Sequence, residues 1–184
     1  VVKDVSTLTV GVGGKPIPAQ FIKTVPWPDG SVRWALLDTQ ADVPAGGKVG
    51  LAVSDRGTNP APKAPVKIEQ GRMGAVKVSS GPLEFVVSRK KFNLFQSLKV
   101  DGVELITGGK GLVIYKAGGD VASIAPSEVK VEDAGPMRAT VCVRGVYPGV
   151  HNNLLRYTVR ITAYAGKKFV KLQVWLENQG AYGY

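Results

Sequence analysis

The sequence holds one cysteine, Cys142, and one histidine, His151. A lone cysteine cannot close an internal disulfide, and with a single histidine beside it zinc lacks its usual nitrogen and sulfur ligands, so neither a disulfide scaffold nor a metal site is expected. Nucleophilic centres of the Ser-His-Asp or Cys-His kind need a histidine base. His151 stands in the turn sequence Pro148-Gly149-Val150-His151-Asn152-Asn153, while Cys142 sits in the strand pattern Val141-Cys142-Val143, where an isolated cysteine packs as a small inert hydrophobe. No catalytic residue follows from either. Uninterrupted apolar runs are also missing: Lys, Arg, Asp or Gly breaks every stretch before the ~18 residues that a membrane-spanning helix needs. The chain begins with Val1 and shows no basic, apolar leader, so a processed or cut N-terminus is expected.

Other chemistries fail on spacing. The stretch Gly11-Val12-Gly13-Gly14-Lys15 lacks full phosphate-loop spacing and no helix pattern follows it. Asp101, Asp120 and Asp133 stand singly in turn sequences, unlike clustered calcium ligands. Nothing selects a catalytic pair among Glu84, Glu104, Glu128, Glu132 and Glu177. No cofactor is expected.

What the sequence does hold is β pattern. Apolar residues alternate at period two, and 23 glycines and 12 prolines punctuate the runs. A first group of strands is expected at residues 6–12, 17–23, 31–43 and 48–54, turning at Gly13-Gly14, Pro28-Asp29-Gly30 and Ala45-Gly46-Gly47. These make a small barrel-like region over residues 1–54. Residues 55–65, rich in proline and small polar side chains, have no alternation to hold them on a sheet and read as a linker or crossover. Residues 66–184 then carry strands at 66–69, 75–78, 83–88, 92–100, 111–116, 128–132, 138–147, 154–164 and 169–177.

The last strands have the clearest two-sided pattern. Tyr157, Val159, Ile161 and Ala163 share one face, with Arg156, Thr158, Arg160 and Thr162 on the other. After Ala165-Gly166-Lys167, Val170, Leu172, Val174 and Leu176 alternate with Lys171, Gln173, Trp175 and Glu177. Apolar faces of this length call for a second sheet, so the expected fold is all-β, with an antiparallel sandwich following the barrel-like region.

Pro16-Ile17-Pro18-Ala19-Gln20 and Trp27-Pro28-Asp29-Gly30-Ser31-Val32-Arg33-Trp34-Ala35-Leu36-Leu37-Asp38 resemble the N-terminal, RIFT-like β-barrel module of exo-type rhamnogalacturonan lyases and their uncharacterised relatives. Ser80-Gly81-Pro82-Leu83, Gly135-Pro136-Met137-Arg138-Ala139 and Arg160-Ile161-Thr162-Ala163-Tyr164-Ala165-Gly166 look like the start of the mutarotase-like β-sandwich in the same proteins. These are turn and strand signatures, and they speak to fold more than to activity. The resemblance implies that the chemistry lies in regions beyond these 184 residues.

Lys plus Arg at 24 against Asp plus Glu at 14 leaves a formal charge of +10, spread along the chain, which suits an acidic polysaccharide; nucleic acid is not the expected partner. Trp27, Arg33 and Trp175 are the expected ligand-binding residues; Tyr147, Tyr182 and Tyr184 can join the tryptophans in an aromatic platform, while core or rim packing is the expectation for most of these rings. In the hairpin sequence, Trp34 and Leu36 share a face with Val32, while Arg33 on the other can pair with Asp38 or Asp29, or reach an anionic ligand through its fork of donors. The expectation is a non-catalytic β module of a secreted, extracellular or cell-surface carbohydrate-active protein, binding acidic polysaccharide or supporting further domains of the same protein. The competing expectation is an assembly subunit of an extracellular filament or virion appendage, a homo-oligomer joined through terminal strands such as residues 1–12.

Overall fold

The computed structural model describes residues 1–71, 74–109, 111–115, 118–119, 121–122, 124–149 and 155–179. Among them there is no α-helix, and the chain is built almost wholly of antiparallel strands. No helix is long and apolar enough to cross a membrane. The chain divides into two compact units, Val1–Pro65 and Val66–Tyr184.

In the first unit, the expected strand at residues 6–12 starts later. Val5–Thr7 forms a 3-10 turn capped by the Asp4 carboxylate, which accepts from the Ser6 N–H at 2.8 Å. Strand β1 (Thr9–Val12) then lies between β2 (Lys15–Pro16) and β5 (Leu51–Ser54). It is paired on both sides and so is not a free donor strand. Strands β3 (Ala19–Pro26) and β4 (Val32–Thr39) form a separate hairpin. The expected linker is partly tied down: the Asn59 side chain accepts from the Val10 N–H at 2.9 Å and donates to the Leu8 carbonyl at 2.7 Å. A side-chain amide does here what apolar alternation would do in a strand. Val10 is this unit's one buried apolar side chain, and Trp34 and Leu36 stay 63% and 43% exposed.

The second unit is a sandwich. One sheet has the order β10-β9-β8-β7-β6, from β6 (Lys67–Gln70), β7 (Val76–Ser79), β8 (Leu83–Val87), β9 (Ser97–Val100) and β10 (Val103–Thr107). The other runs β13-β14-β15-β16, from β13 (Glu128–Ala134), β14 (Arg138–Val146), β15 (Leu155–Tyr164) and β16 (Val170–Asn178). Between them in sequence, β11 (Val113–Ile114) and β12 (Val121–Ala122) make a short pair. Strand β10 is absent from the sequence reading. Its signal is Asp101-Gly102, whose φ values of 50° and 80° make the two-residue turn that pairs Val103 with Val100.

Alternation places Leu83, Phe85 and Val87 of β8 against Ala139, Val141 and Val143 of β14 and Tyr157, Val159, Ile161 and Ala163 of β15, in one continuous core. The turns tie the two sheets together. Ser80, fully buried, donates its hydroxyl to the Lys167 carbonyl at 2.8 Å, and its own carbonyl accepts from the Gly166 N–H at 2.8 Å. The Pro136 carbonyl accepts from the Val66 N–H, ahead of the other sheet's β6, and the Met137 carbonyl accepts from the Ala165 N–H within its own sheet, each at 2.9 Å. Through Ser80 and Pro136, the signatures Ser80-Gly81-Pro82 and Gly135-Pro136-Met137 therefore act as inter-sheet braces.

One expectation fails at the last strand. The apolar face of β16 is in register with the buried face of β15, yet Leu172, Val174 and Leu176 remain 42%, 47% and 57% exposed. The opposing sheet covers β15 and leaves β16 beyond its cover.

Candidate functional site

The outer face of β13–β16 carries the charged half of each alternating pattern. Arg160 on β15 forms a two-point pair with Glu132, Nε to Oε2 at 2.5 Å and Nη2 to Oε1 at 2.8 Å. Glu132 follows Lys130 on the outer side of β13, where the strand shifts register between Val131 and Asp133. Arg144 pairs with Glu128 at 2.7 Å and Arg138 with Asp133 at 2.8 Å. Under these charges, the hydroxyls of Thr140 and Thr162 lie 3.1 Å apart, both buried. Cys142, opposite Arg160, is buried too; burial first, then the Glu132 charge, pushes its thiol pKa up, which disfavours the nucleophilic thiolate. The hydrogen bond from Arg160 holds the Glu132 carboxyl below its ordinary range.

Toward one end of this face, Ser127, Arg144, Arg156, Arg160, Trp175 and Glu177 surround an open depression of about 730 Å³. Arg160 stacks on Trp175, with its guanidinium carbon 5.0 Å from the ring centre. Trp175 is still 40% exposed. Arg156 lies across from Glu177 on the neighbouring strand and, among the described residues, makes no ion pair. The depression thus offers an unneutralised guanidinium, a carboxylate, hydroxyls of Ser127 and Thr158, and an aromatic surface.

In the first unit, Trp27 and Arg33 come together: the guanidinium carbon is 4.6 Å from the Trp27 ring centre. Of the partners the sequence offered Arg33, neither Asp29 nor Asp38 pairs with it, and Asp29 is occupied by its own turn. Its Oδ1 accepts from the Ser31 N–H at 2.9 Å and the Ser31 hydroxyl at 2.6 Å, and these bonds lower its pKa. Trp27 and Arg33 belong to the unit Val1–Pro65, and Trp175 to Val66–Tyr184. Of the two readings for Tyr147, core packing holds: it is 1% exposed and packs edge-on against Tyr157. His151, Asp120, Tyr182 and Tyr184 lie outside the described residues. Arg144, Arg156 and Glu132 were absent from the expected site, although Arg156-x-Thr158-x-Arg160 in the sequence marks one wet strand face.

Residues 66–178 match the family model described as the PcRGLX-like protein central beta sandwich domain. The chain belongs to the PcRGLX-like family. This PcRGLX-like sandwich supports the rhamnogalacturonan-lyase-like resemblance read from the sequence. A relative in Bacillus subtilis (strain 168), the uncharacterized protein YetA, is 25% identical over 153 residues, which is 76% of this chain. The chain spans 17% of that relative's length.

Proposed function

We propose that this chain is a non-catalytic portion of a larger, secreted, carbohydrate-active protein, and that the depression beside Trp175 holds an acidic sugar unit of a polysaccharide. The observation that carries the reading is Arg156, a guanidinium without an ion pair among the described residues, set beside the exposed Trp175 ring and the Glu177 carboxylate. A uronate matches these groups one by one. Its carboxylate takes the Arg156 fork, its hydroxyls donate to Glu177 or bond with Ser127 and Thr158, and its C–H face lies on Trp175. The other carboxylates of this face favour binding over proton transfer. Glu132 and Glu128 are tied to arginines, and Glu132 is held ionised. Support for a larger protein comes from the relative's length and from the family description of the sandwich as central.

The test is native gel electrophoresis of the 184-residue chain through polygalacturonate or neutral dextran. Retardation by polygalacturonate alone is expected, and it should be lost on Arg156→Ala but kept on Lys63→Ala, which removes the same charge from the exposed 55–65 segment. Equal mobility in both gels, or equal losses from the two variants, would overturn the reading.

A further inference from the structure

We propose that the free edge of β16 pairs with the β16 edge of a second copy of this chain, antiparallel, about a two-fold axis at Val174. An edge strand presents unpaired N–H and C=O groups, and folded proteins usually guard such edges with bulges, shortness or charge. Three of the sandwich's four edges are guarded. Strand β6 has four residues, β10 shifts register between Glu104 and Ile106, and β13 shifts register between Val131 and Asp133. Strand β16 runs nine residues in unbroken register with β15, and among the described residues no further strand lies on its other side. Both of its faces are open, with Leu172, Val174, Trp175 and Leu176 at 40% exposure or more.

The order of side chains along β16 fits its own reverse. With Val174 opposite its copy, Lys171 meets Glu177, Leu172 meets Leu176 and Gln173 meets Trp175, each pair occurring twice. Among the described residues neither Lys171 nor Glu177 has an ion pair within its own chain, so these are charges awaiting a partner. This register also overlaps the whole of Val170–Asn178. Shifting it to put position 171 or 177 opposite its copy brings like charges together and leaves strand ends unpaired. A two-fold contact uses both edges and closes, so the product is a dimer rather than a fibre. The inference stands on strand order and charge pattern, independently of any sugar at Trp175.

Sedimentation velocity of the 184-residue chain over a dilution series tests it, with circular dichroism to verify that each variant keeps its fold. The wild type is expected at twice the chain mass at high concentration. Lys171→Glu places two Glu–Glu contacts in the interface and Glu177→Lys two Lys–Lys contacts, and each should weaken self-association by about tenfold. Mixing the two variants makes every contact opposite in sign again, so the mixture should dimerise as the wild type does. A wild type that is monomeric throughout would mean that something else covers this edge, such as another part of the longer protein, and overturns the proposal. Dimers indifferent to both charge reversals overturn it equally.

Discussion

Tyr157 lies with its ring across Gly145, the residue directly opposite it on β14. A Cβ at Gly145 would run into the phenol ring, so any other residue there forces the ring to shift. The ring is held by Phe92, stacked at 5.3 Å, and by Tyr147, edge-on at 5.5 Å. A glycine that weakens a strand by itself is here covered by an aromatic neighbour.

Gly145→Ala is expected to destabilise the chain by about 1–3 kcal/mol, since the crowded ring sits in a filled core. Tyr157→Phe should have the opposite sign. The Tyr157 hydroxyl is buried and has no hydrogen-bond partner among the described residues, and burial, with the nearby Tyr147, pushes its pKa up to about 12. Removing a desolvated, unpaired hydroxyl should stabilise by roughly 1 kcal/mol. Urea denaturation of both variants checks the pair of signs.

Stability should fall on acidification through Glu132. Its carboxyl pKa in the folded chain lies below the ordinary 4.5, so its pairing with Arg160 stabilises fully above that value and is lost as pH falls through the lower, folded one. Denaturation midpoints recorded from neutral pH downward should decline in that acid window, and Glu132→Gln should flatten part of the decline.

If the depression beside Trp175 binds an acidic glycan, its two halves should separate by salt. Arg156→Ala should lower affinity by about tenfold at low ionic strength and less at high salt, because screening already weakens the charge. Trp175→Ala should cost a similar factor at every salt concentration, since ring contact is not screened. Affinity electrophoresis at two ionic strengths reads both.

The two units should differ when expressed apart. Residues 66–184 contain the continuous core of the sandwich and should unfold cooperatively. Residues 1–65 bury one apolar side chain, Val10, and should give no cooperative transition by themselves. Thermal melts of the two fragments, followed by circular dichroism, check the difference.

The all-β fold and the inner face of β15 were legible because a buried strand writes its environment at period two, as at Tyr157, Val159, Ile161 and Ala163. Strand β10 carries a legible signal too, in the turn-forming pair Asp101-Gly102. The site was readable only in fragments. Trp175 stood out as an aromatic on a wet face, but Arg144 and Arg156 reach its depression, and Glu132 reaches Arg160, only through the pairing of four strands.

By itself, then, the sequence determined what each strand turns to either side, because alternation is a property of one extended backbone. It also determined where the chain reverses, since those turns need glycine, proline or aspartate. Tertiary structure alone decided which alternating faces are covered. Strands β15 and β16 carry the same pattern, yet Val159 is fully buried and its partner Val174 is 47% exposed. Burial depends on how far the opposing sheet extends, and no local pattern in β16 encodes that reach.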